Sequence, residues 1–363
     1  RAGHGQDAGG RRLLRRGVLA GAASCQTGGM SEEALGGTDS AQAPPAGLVK
    51  TIAFPTAELR AHVDAKIEDH QQSRTKFVVW SADEQSPGLD KSSIDAVILP
   101  YPDHGPTIAK LGELPNLKFV QMQTTGYDAI IGKVGPEVQV ATASGVHAAA
   151  TAELAVALTL ARLRAVDDAA RDMTRQKWNH RQRPSLADRK VLIVGAGGIG
   201  NAIFDRFAPF EVDQARVATT ARDDDRGHIH SIDELPELLP TAEVVVLITP
   251  LTERTDKLVN KEFLAALPDG ALVVNVARGG VVDTDALVAE LETGRLQAAL
   301  DVVDPEPLPQ DHPLWSTPNT LLTPHVGGNA SAFHPRIENL LVEQLHRLSV
   351  GRELLNVVDV SED

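Results

Sequence analysis

The chain has 363 residues, enough for two ordinary domains that each bury a core of their own. Hydrophobic residues make up 42% and charged residues 23%, the balance of a folded globular protein rather than a disordered or fibrous one. The formal net charge of −14 disfavours nucleic acid and anionic membrane as partners, so a small anionic substrate would need a local positive site. A single cysteine, Cys25, excludes an internal disulfide framework, and no apolar run reaches the length of a membrane span.

The first 47 residues differ in composition from the rest, being rich in Gly, Ala and Ser. The stretch from Arg15 to Cys25 loosely resembles a twin-arginine export signal with a lipidation-like cysteine, although its apolar part is short. We expect residues 1–47 to be a disordered leader or a possible signal, with Met30 as an alternative start. The fold is expected to begin at Leu48.

From Leu48 onward, short apolar runs alternate with helical or turn segments, which is typical of parallel sheets covered on both faces. The first five runs are LVKTIAF, KFVVW, DAVILP, LKFVQMQ and VQVATA. A nearly all-apolar helix from Ala149 to about Arg164 predicts a buried connector between two domains. Six further runs then predict a complete doubly wound sheet: KVLIVG, RVATTA, VVVLI, ALVVNV, AALDVV and TLLTPH.

The predicted fold class is therefore α/β, with two doubly wound parallel-sheet (Rossmann-like) domains and a cleft between them. The tail contains one amphipathic helix and the apolar piece LLNVV, and is too small to fold alone. We therefore predict a flavodoxin-like substrate domain made of residues 48–148 plus 328–363. The dinucleotide-binding Rossmann domain is predicted at residues 149–327.

A glycine-rich turn directly follows the run VLIV and begins an apolar-periodic helix. Its residues are Gly195-Ala196-Gly197-Gly198-Ile199-Gly200, a G-x-G-x-x-G pattern. The first glycine permits the tight turn, the second lets the backbone approach a pyrophosphate, and the third lets the helix pack close to the strand. With a strand before it and a helix after it, this turn predicts an NAD(P) site.

The choice between NAD and NADP depends on the end of the second strand of this sheet. An acidic residue there would bind the ribose hydroxyls of NAD, but the run ARVATTAR ends in Ala221 and Arg222. A small residue followed by arginine favours NADP, because the guanidinium would hold the 2′-phosphate. Asp223, Asp224 and Asp225 keep NAD open, since they would bind the ribose or neutralise Arg222.

Three further motifs lie at or just beyond strand ends of the second sheet, and they contain Arg278, Glu306 and His325. Moving a hydride and a proton together needs an acid/base near neutral pH, which histidine supplies. A carboxylate beside it would raise its pKa, and an arginine would bind a substrate carboxylate with two hydrogen bonds. Each of these residues has an ordinary structural explanation by itself. Their occurrence together, in this order along the chain and after a dinucleotide motif, favours a catalytic centre.

At this point the chain resembles the D-isomer-specific 2-hydroxyacid dehydrogenases, a family that includes phosphoglycerate, glyoxylate/hydroxypyruvate and D-lactate dehydrogenases. The resemblance extends from Leu48 to Val358 through segments such as SGVHAAATAELAVALTLARLR, VLIVGAGGIG, NVARGGVVD, ALDVVDPEPLPQDHPLW and TPHVGG. It implies that His325 is the acid/base, Glu306 its carboxylate partner and Arg278 the ligand of the substrate carboxylate.

The resemblance also implies residues that bind the substrate and the cofactor. The substrate would meet the first domain at Thr125, Gly126 and Tyr127. Besides the residues of the glycine-rich turn and its second strand, the cofactor would be bound by Thr249, Pro250, Ala277, Asp301 and Gly327. The resemblance predicts NAD(P), with NADP favoured, and no metal site. It further implies a small 2-oxo or 2-hydroxy acid substrate, a homodimer, a cytoplasmic location and no C-terminal regulatory domain.

Two other functions remain open at the level of the sequence. A dinucleotide-sensing corepressor-like binding protein would share the fold and retain a catalytic-looking constellation. A phosphite-type dehydrogenase belongs to the same family. Glutamate rather than glutamine at position 306 counts against a formate dehydrogenase.

Overall fold

The strands of this chain are short apolar runs, and the central ones are buried along their whole length, as expected for parallel sheets with helices on both faces. The computed structural model describes residues 49–67 and 75–361, and the predicted leader lies outside these residues. The described strands are β1 Thr51–Phe54, β2 Lys76–Val79, β3 Ala96–Ile98, β4 Phe119–Gln121, β5 Gln139–Ala141, β6 Lys190–Val194, β7 Asp213–Ala218, β8 Arg222–Asp224, β9 Gly227–Ser231, β10 Val244–Leu247, β11 Leu272–Asn275, β12 Gln297–Leu300, β13 Thr320–Leu322 and β14 Val357–Val358.

Polar side chains start several of the helices that connect the strands. Thr56, Asn260 and Asp283 each accept a hydrogen bond from a backbone N–H in the first turn, which satisfies a donor that the helix leaves free. The described α-helices are α1 Ala57–Asp64, α2 Gly105–Ile108, α3 Ala148–Leu163, α4 Val166–Thr174, α5 Gly198–Phe207, α6 Leu235–Leu238, α7 Lys261–Ala266, α8 Thr284–Glu292 and α9 Phe333–Val350.

The first sheet has the strand order β14-β5-β4-β3-β1-β2. Strands β1 to β5 run parallel in the flavodoxin-like order 2-1-3-4-5. Strand β14 adds an antiparallel edge, with Val357 opposite Ala141. Helix α9 covers one face, where Ile337 and Leu341 belong to the same buried cluster as Ile52. Chain from both ends of the described sequence therefore completes this sheet.

The second sheet has the strand order β13-β12-β11-β10-β6-β7-β9-β8. Strand β6 lies between β7 and β10, so the order reverses at β6, and such a switch point is where α/β sheets bind their ligands. Helix α3 covers one face, where Ala155 belongs to the same buried cluster as Ile193 and Val274. These two sheets give the predicted α/β class of two Rossmann-like bodies.

One part of the second sheet differs from the sequence prediction. The run ARVATTAR does not form one strand ending at Arg222, because β7 stops at Ala218 and Arg222 begins β8. Strands β8 and β9 form an antiparallel hairpin at the sheet edge, and β9 pairs with β7. The three aspartates after Ala221 are polar enough to read as a loop, which is why the hairpin was not predicted.

Candidate active site

Three candidate catalytic side chains come from the same edge of the second sheet. Strands β11, β12 and β13 are parallel neighbours, so their carboxyl ends meet at this edge. Arg278 follows β11, Glu306 lies in the loop after β12, and His325 follows β13. The fold therefore brings together residues that are 47 positions apart in the sequence, from 278 to 325.

His325 and Glu306 form a hydrogen-bonded pair. The Nδ1 atom of His325 lies 3.0 Å from Oε2 of Glu306, and both side chains are partly open to solvent. The hydrogen bond to Glu306 raises the pKa of His325, the charge of Glu306 acts in the same direction, and burial and the nearby Arg278 oppose the rise. With Nδ1 directed at the carboxylate, Nε2 is the ring nitrogen left for a proton transfer.

The backbone of His325 is held in an unusual conformation. Its φ is 51°, in the left-handed region that residues other than glycine rarely adopt. The buried Asp301 carboxylate stabilises this loop, because it accepts hydrogen bonds from the Thr323 hydroxyl at 2.5 Å, the Val326 N–H at 2.9 Å and the Gly327 N–H at 2.8 Å. Both oxygens of Asp301 thus accept hydrogen bonds from the loop that carries His325. Asp301 is expected from the sequence to lie at the nicotinamide, and the structure shows that it also positions this loop.

Arg278 reaches from the second sheet to the loop after β4 in the first sheet. Its Nη1 donates to the Ala277 carbonyl at 2.8 Å, and its Nε lies 3.4 Å from Oδ1 of Asp128. A β-carbon on Gly126 would fall 1.6 Å from Nη2 of Arg278, so a larger residue there would displace the guanidinium from this position. The loop that contains Thr125, Gly126 and Tyr127, the predicted substrate residues, therefore lies directly beside the Arg278 guanidinium.

The glycine-rich turn has the geometry that a dinucleotide site requires. Gly195 has a φ of 121°, and a β-carbon there would lie 2.5 Å from the Ile248 carbonyl oxygen. A β-carbon on Gly200 would lie 1.8 Å from the Gly195 carbonyl oxygen, so the helix α5 packs against the turn only with glycine at this position. Gly197 and Gly198 instead face open space, with no atom within 4 Å of a β-carbon. The backbone here is accessible to a phosphate at a helix N-terminus.

A second observation supports a cofactor at this edge. The Thr249 hydroxyl oxygen, just beyond β10, is buried and has no hydrogen-bond partner among the described residues. Buried polar atoms are nearly always paired, so an orphaned hydroxyl beside a dinucleotide turn fits a site completed by a ligand. The predicted Pro250 and Ala277 follow β10 and β11 at the same edge.

The β8–β9 hairpin places Arg222 beside the glycine-rich turn. Nη2 of Arg222 lies 3.5 Å from the Ala196 carbonyl oxygen. The aspartates after it have other partners: Asp223 contacts His228, Asp224 contacts the buried Arg216, and Asp225 contacts Arg226. None of the described contacts of these three carboxylates is with Arg222. The described contacts therefore do not support the alternative that the aspartates neutralise Arg222.

Sequence reasoning missed three residues that shape the site. Asn275, 1% exposed at the end of β11, accepts from the Ala277 N–H and donates to the Arg278 carbonyl. Asp128 faces Arg278, with its Oδ1 3.4 Å from Nε of the guanidinium. His147, at the start of α3, contacts the carbonyl oxygens of Gln123 at 2.8 Å and Gly328 at 3.1 Å. An asparagine after an apolar strand and a histidine before a helix are common in loops, so only the fold distinguishes them.

Several known proteins are similar to this chain. Residues 156–327 match the family described as D-isomer specific 2-hydroxyacid dehydrogenase, NAD binding domain. A glyoxylate reductase from Korarchaeum cryptofilum is 30% identical over 86% of this chain and 96% of its own. A chloroplastic/mitochondrial formate dehydrogenase from Arabidopsis thaliana is 30% identical over 79% of both chains. The crystal structure of a D-isomer specific 2-hydroxyacid dehydrogenase from Xanthobacter autotrophicus Py2, in complex with NADPH and MES, has a TM-score of 0.71 and 28% identity, covering 86% of this chain and 98% of that one.

A dinucleotide turn at the switch point of a doubly wound sheet, with a histidine–carboxylate pair and an arginine at the same edge, defines the class of NAD(P)-dependent oxidoreductases. The glyoxylate reductase match extends over nearly the whole of that relative and most of this chain. The chain belongs to the D-isomer-specific 2-hydroxyacid dehydrogenase family. No helix among the described residues is long and apolar enough to cross a bilayer.

Proposed function

We propose that this enzyme interconverts a small 2-oxo acid and its 2-hydroxy acid, with His325, Glu306 and Arg278 as its catalytic centre. The observation that carries the proposal is the His325–Glu306 pair on the same edge of the sheet as Arg278 and the glycine-rich turn. A proton donor, an anion-binding cation and a dinucleotide site on one edge are what this reaction needs. The similarity to a glyoxylate reductase over most of the chain supports this substrate class.

The residues divide the chemistry between them. The nicotinamide cofactor supplies or accepts the hydride when bound. Arg278 binds the substrate carboxylate and so positions the substrate carbonyl for the reaction. The Thr125–Tyr127 loop contacts the substrate from the first sheet. In the reductive direction the His325 imidazolium donates its Nε2 proton to the carbonyl oxygen, and in the oxidative direction the neutral ring accepts it. Glu306 stabilises the imidazolium and keeps Nε2 directed to the substrate.

We further propose that NADP is preferred over NAD. Arg222 lies next to the glycine-rich turn and is not paired with any of the three following aspartates in the described contacts. Ala221 leaves no carboxylate at the position where NAD enzymes bind the ribose, so a 2′-phosphate would meet a guanidinium and no repelling charge. We also propose that the remaining predicted cofactor residues, including Ile199, Asp301 and Gly327, contact the bound cofactor.

We propose that residues 48–148 plus 328–363 form the substrate domain and that residues 149–327 form the dinucleotide domain. The strands that each sheet uses support this assignment.

We propose a cytoplasmic location because the nicotinamide pool lies there. Fractionation that finds the enzyme in a periplasmic or membrane fraction would contradict this location.

We propose a homodimer through the surface around α4. Val166 is 57% exposed, Met173 is 75% exposed and Trp178, just beyond the helix, is 94% exposed. Large apolar side chains exposed on one surface favour a protein–protein interface there. The commonest such interface joins two copies of the same chain by a two-fold axis.

The test of the function is a spectrophotometric screen of glyoxylate, hydroxypyruvate, pyruvate, phenylpyruvate and branched 2-oxo acids, each with NADH and with NADPH. We expect oxidation of the reduced cofactor with at least one of these acids. In His325→Gln, turnover should fall by ~10²–10⁴-fold, because the acid/base is lost, while cofactor affinity measured by fluorescence titration stays close to that of the wild type. Tight cofactor binding with no turnover of any acid, or normal turnover in His325→Gln, would contradict the proposal.

A further inference from the structure

A second cluster of side chains suited to chemistry lies on the β8–β9 hairpin, outside the catalytic centre. His228 and His230 belong to β9, and Glu234 lies in the short 3-10 turn that follows it. One ligand atom from each of these three residues lies within 4.8 Å of the others. We propose that this cluster, with Asp223 beside it, is a binding site for one transition-metal dication of the zinc class.

The alternation of side chains along β9 explains why the two imidazoles share a face. Ile229 is 1% exposed and belongs to the core, so His228 and His230 on either side of it point away from the core. Their ring centres are 4.7 Å apart, and the rings are nearly perpendicular. Both histidines are partly exposed, which leaves an ion a path from solvent.

The carboxylates are arranged as they are around metal-binding histidines. Nδ1 of His228 lies 2.9 Å from Oδ1 of Asp223, and Nδ1 of His230 lies 2.8 Å from Oε2 of Glu234. A ligating histidine usually gives one ring N–H to a carboxylate, which fixes the tautomer and leaves the other nitrogen for the metal. The two carboxylates would also offset the charge of a bound dication.

The cluster is fixed by the local fold and does not depend on long flexible segments. Oε1 of Glu234 accepts the Ser231 N–H at 2.7 Å in a capping box, so the carboxylate is tied to the end of β9. A site built on a strand and its capping turn loses little freedom when an ion binds.

The donor set also selects the kind of ion. Imidazole with carboxylate suits zinc, nickel and copper, whereas magnesium and calcium prefer oxygen ligands alone. The site lies on the face of the hairpin opposite to Arg222, whose register partner is the buried Ile229. An ion here would join β9 to the following turn and stiffen the hairpin that carries Arg222.

The experiment is a calorimetric titration of the untagged, chelator-treated full chain with Zn²⁺, with no cofactor or substrate present. We expect one ion per chain and a rise in the melting temperature on adding Zn²⁺. His228→Ala and His230→Ala should each weaken binding by about tenfold or more and abolish the rise. The control is His62→Ala, which removes another exposed histidine paired with a carboxylate, Glu338 at 3.2 Å, and should leave binding unchanged.

Three results would overturn the proposal. They are no saturable Zn²⁺ binding by the wild-type chain, unchanged binding in both His228→Ala and His230→Ala, and an equal loss of binding in His62→Ala. A parallel titration with Mg²⁺ should show no saturable binding, and binding as tight as that of Zn²⁺ would contradict the ion class. Because the measurement uses neither cofactor nor substrate, its outcome is independent of the proposed enzyme activity.

Discussion

At the scale of single residues, the protonation of His325 connects the geometry of the site with its reaction. Its pKa lies above the ordinary value of about 6.5, mainly because of the hydrogen bond to Glu306. A raised pKa keeps the imidazolium, the form that donates a proton in reduction, populated to higher pH. Reduction should therefore lose rate as the pH rises through this pKa, and oxidation should gain rate over the same interval.

Replacing Glu306 by glutamine tests this relation. Glu306→Gln removes the carboxylate that favours the imidazolium, so the pKa of His325 should fall and the alkaline limb of kcat/KM for reduction should move to lower pH. The measurement is the pH profile of kcat/KM with saturating cofactor. Asp304→Asn, a change of a neighbouring exposed carboxylate that is not among the groups acting on the pKa of His325, is the matched control. An unchanged limb in Glu306→Gln would mean that another group sets it.

Cofactor preference is a second property of one residue. In Arg222→Ala the charge-assisted hydrogen bonds to a 2′-phosphate are lost, which is ~1.5–3 kcal/mol or ~10- to 100-fold in KM for NADPH. The KM for NADH should change little, since NADH lacks that phosphate. Arg226→Ala is the control, because Arg226 lies on the same hairpin but is paired with Asp205. Equal losses for both cofactors would refute a role in selectivity.

At the scale of elements, a partly buried ion pair joins the β8–β9 hairpin to the rest of the sheet. Arg216, 1% exposed on β7, donates to Asp224 on β8 at 2.7 and 2.5 Å, and its guanidinium lies 4.7 Å from the centre of the Phe204 ring. The hydrogen bonds from Arg216 are the main reason that the pKa of Asp224 is lowered to about 2. The hairpin is thus attached to both β7 and α5 through one arginine.

Removing the charge of Asp224 should loosen this element. Asp224→Asn leaves Arg216 without its carboxylate and should reduce the free energy of unfolding by ~2–3 kcal/mol at neutral pH, as measured by urea denaturation. Because the folded pKa is depressed, the contribution is present above the unfolded value of about 3.9 and is lost as the pH falls towards 2. Asp225→Asn, whose side chain is 78% exposed, should change stability by less than ~0.5 kcal/mol. Equal effects of the two changes would refute the role of this pair.

The elements also show what the sequence could and could not predict. Eleven apolar runs predict β1 to β7 and β10 to β13 with their order along the chain, because burial on both faces demands continuous hydrophobic segments. The hairpin escaped prediction because β8 has the sequence Arg-Asp-Asp, and its pairing depends on a contact with Arg216 that no local pattern reveals. For the same reason, sequence motifs locate His325 and Arg278 but not Asn275 or Asp128. The roles of Asn275 and Asp128 follow from contacts with the Arg278 region that only the folded chain shows.

At the scale of the whole molecule, the exposed surface around α4 leads to a prediction on assembly. The double variant Met173→Ser, Trp178→Ser should lower the molar mass measured by light scattering from that of a dimer to that of a monomer at the same concentration. A two-fold interface contains the same residues from both copies, so the double variant removes large apolar side chains from both sides of the interface. Val350→Ser, a change of another exposed apolar residue at the end of α9, should leave the mass unchanged. A monomeric wild-type chain would contradict the proposed dimer.

The return of the chain to its first sheet has a consequence for biosynthesis. Strands β1 to β5 leave the ribosome early, but α9, which covers one of their faces, and β14, which closes their edge, are made only after the whole second sheet. The second sheet uses one continuous stretch of chain and is free to form as soon as β13 has emerged. Until α9 arrives, the nascent first sheet exposes Ile52, Phe54 and Phe119. These residues are where we expect a chaperone to hold the growing chain.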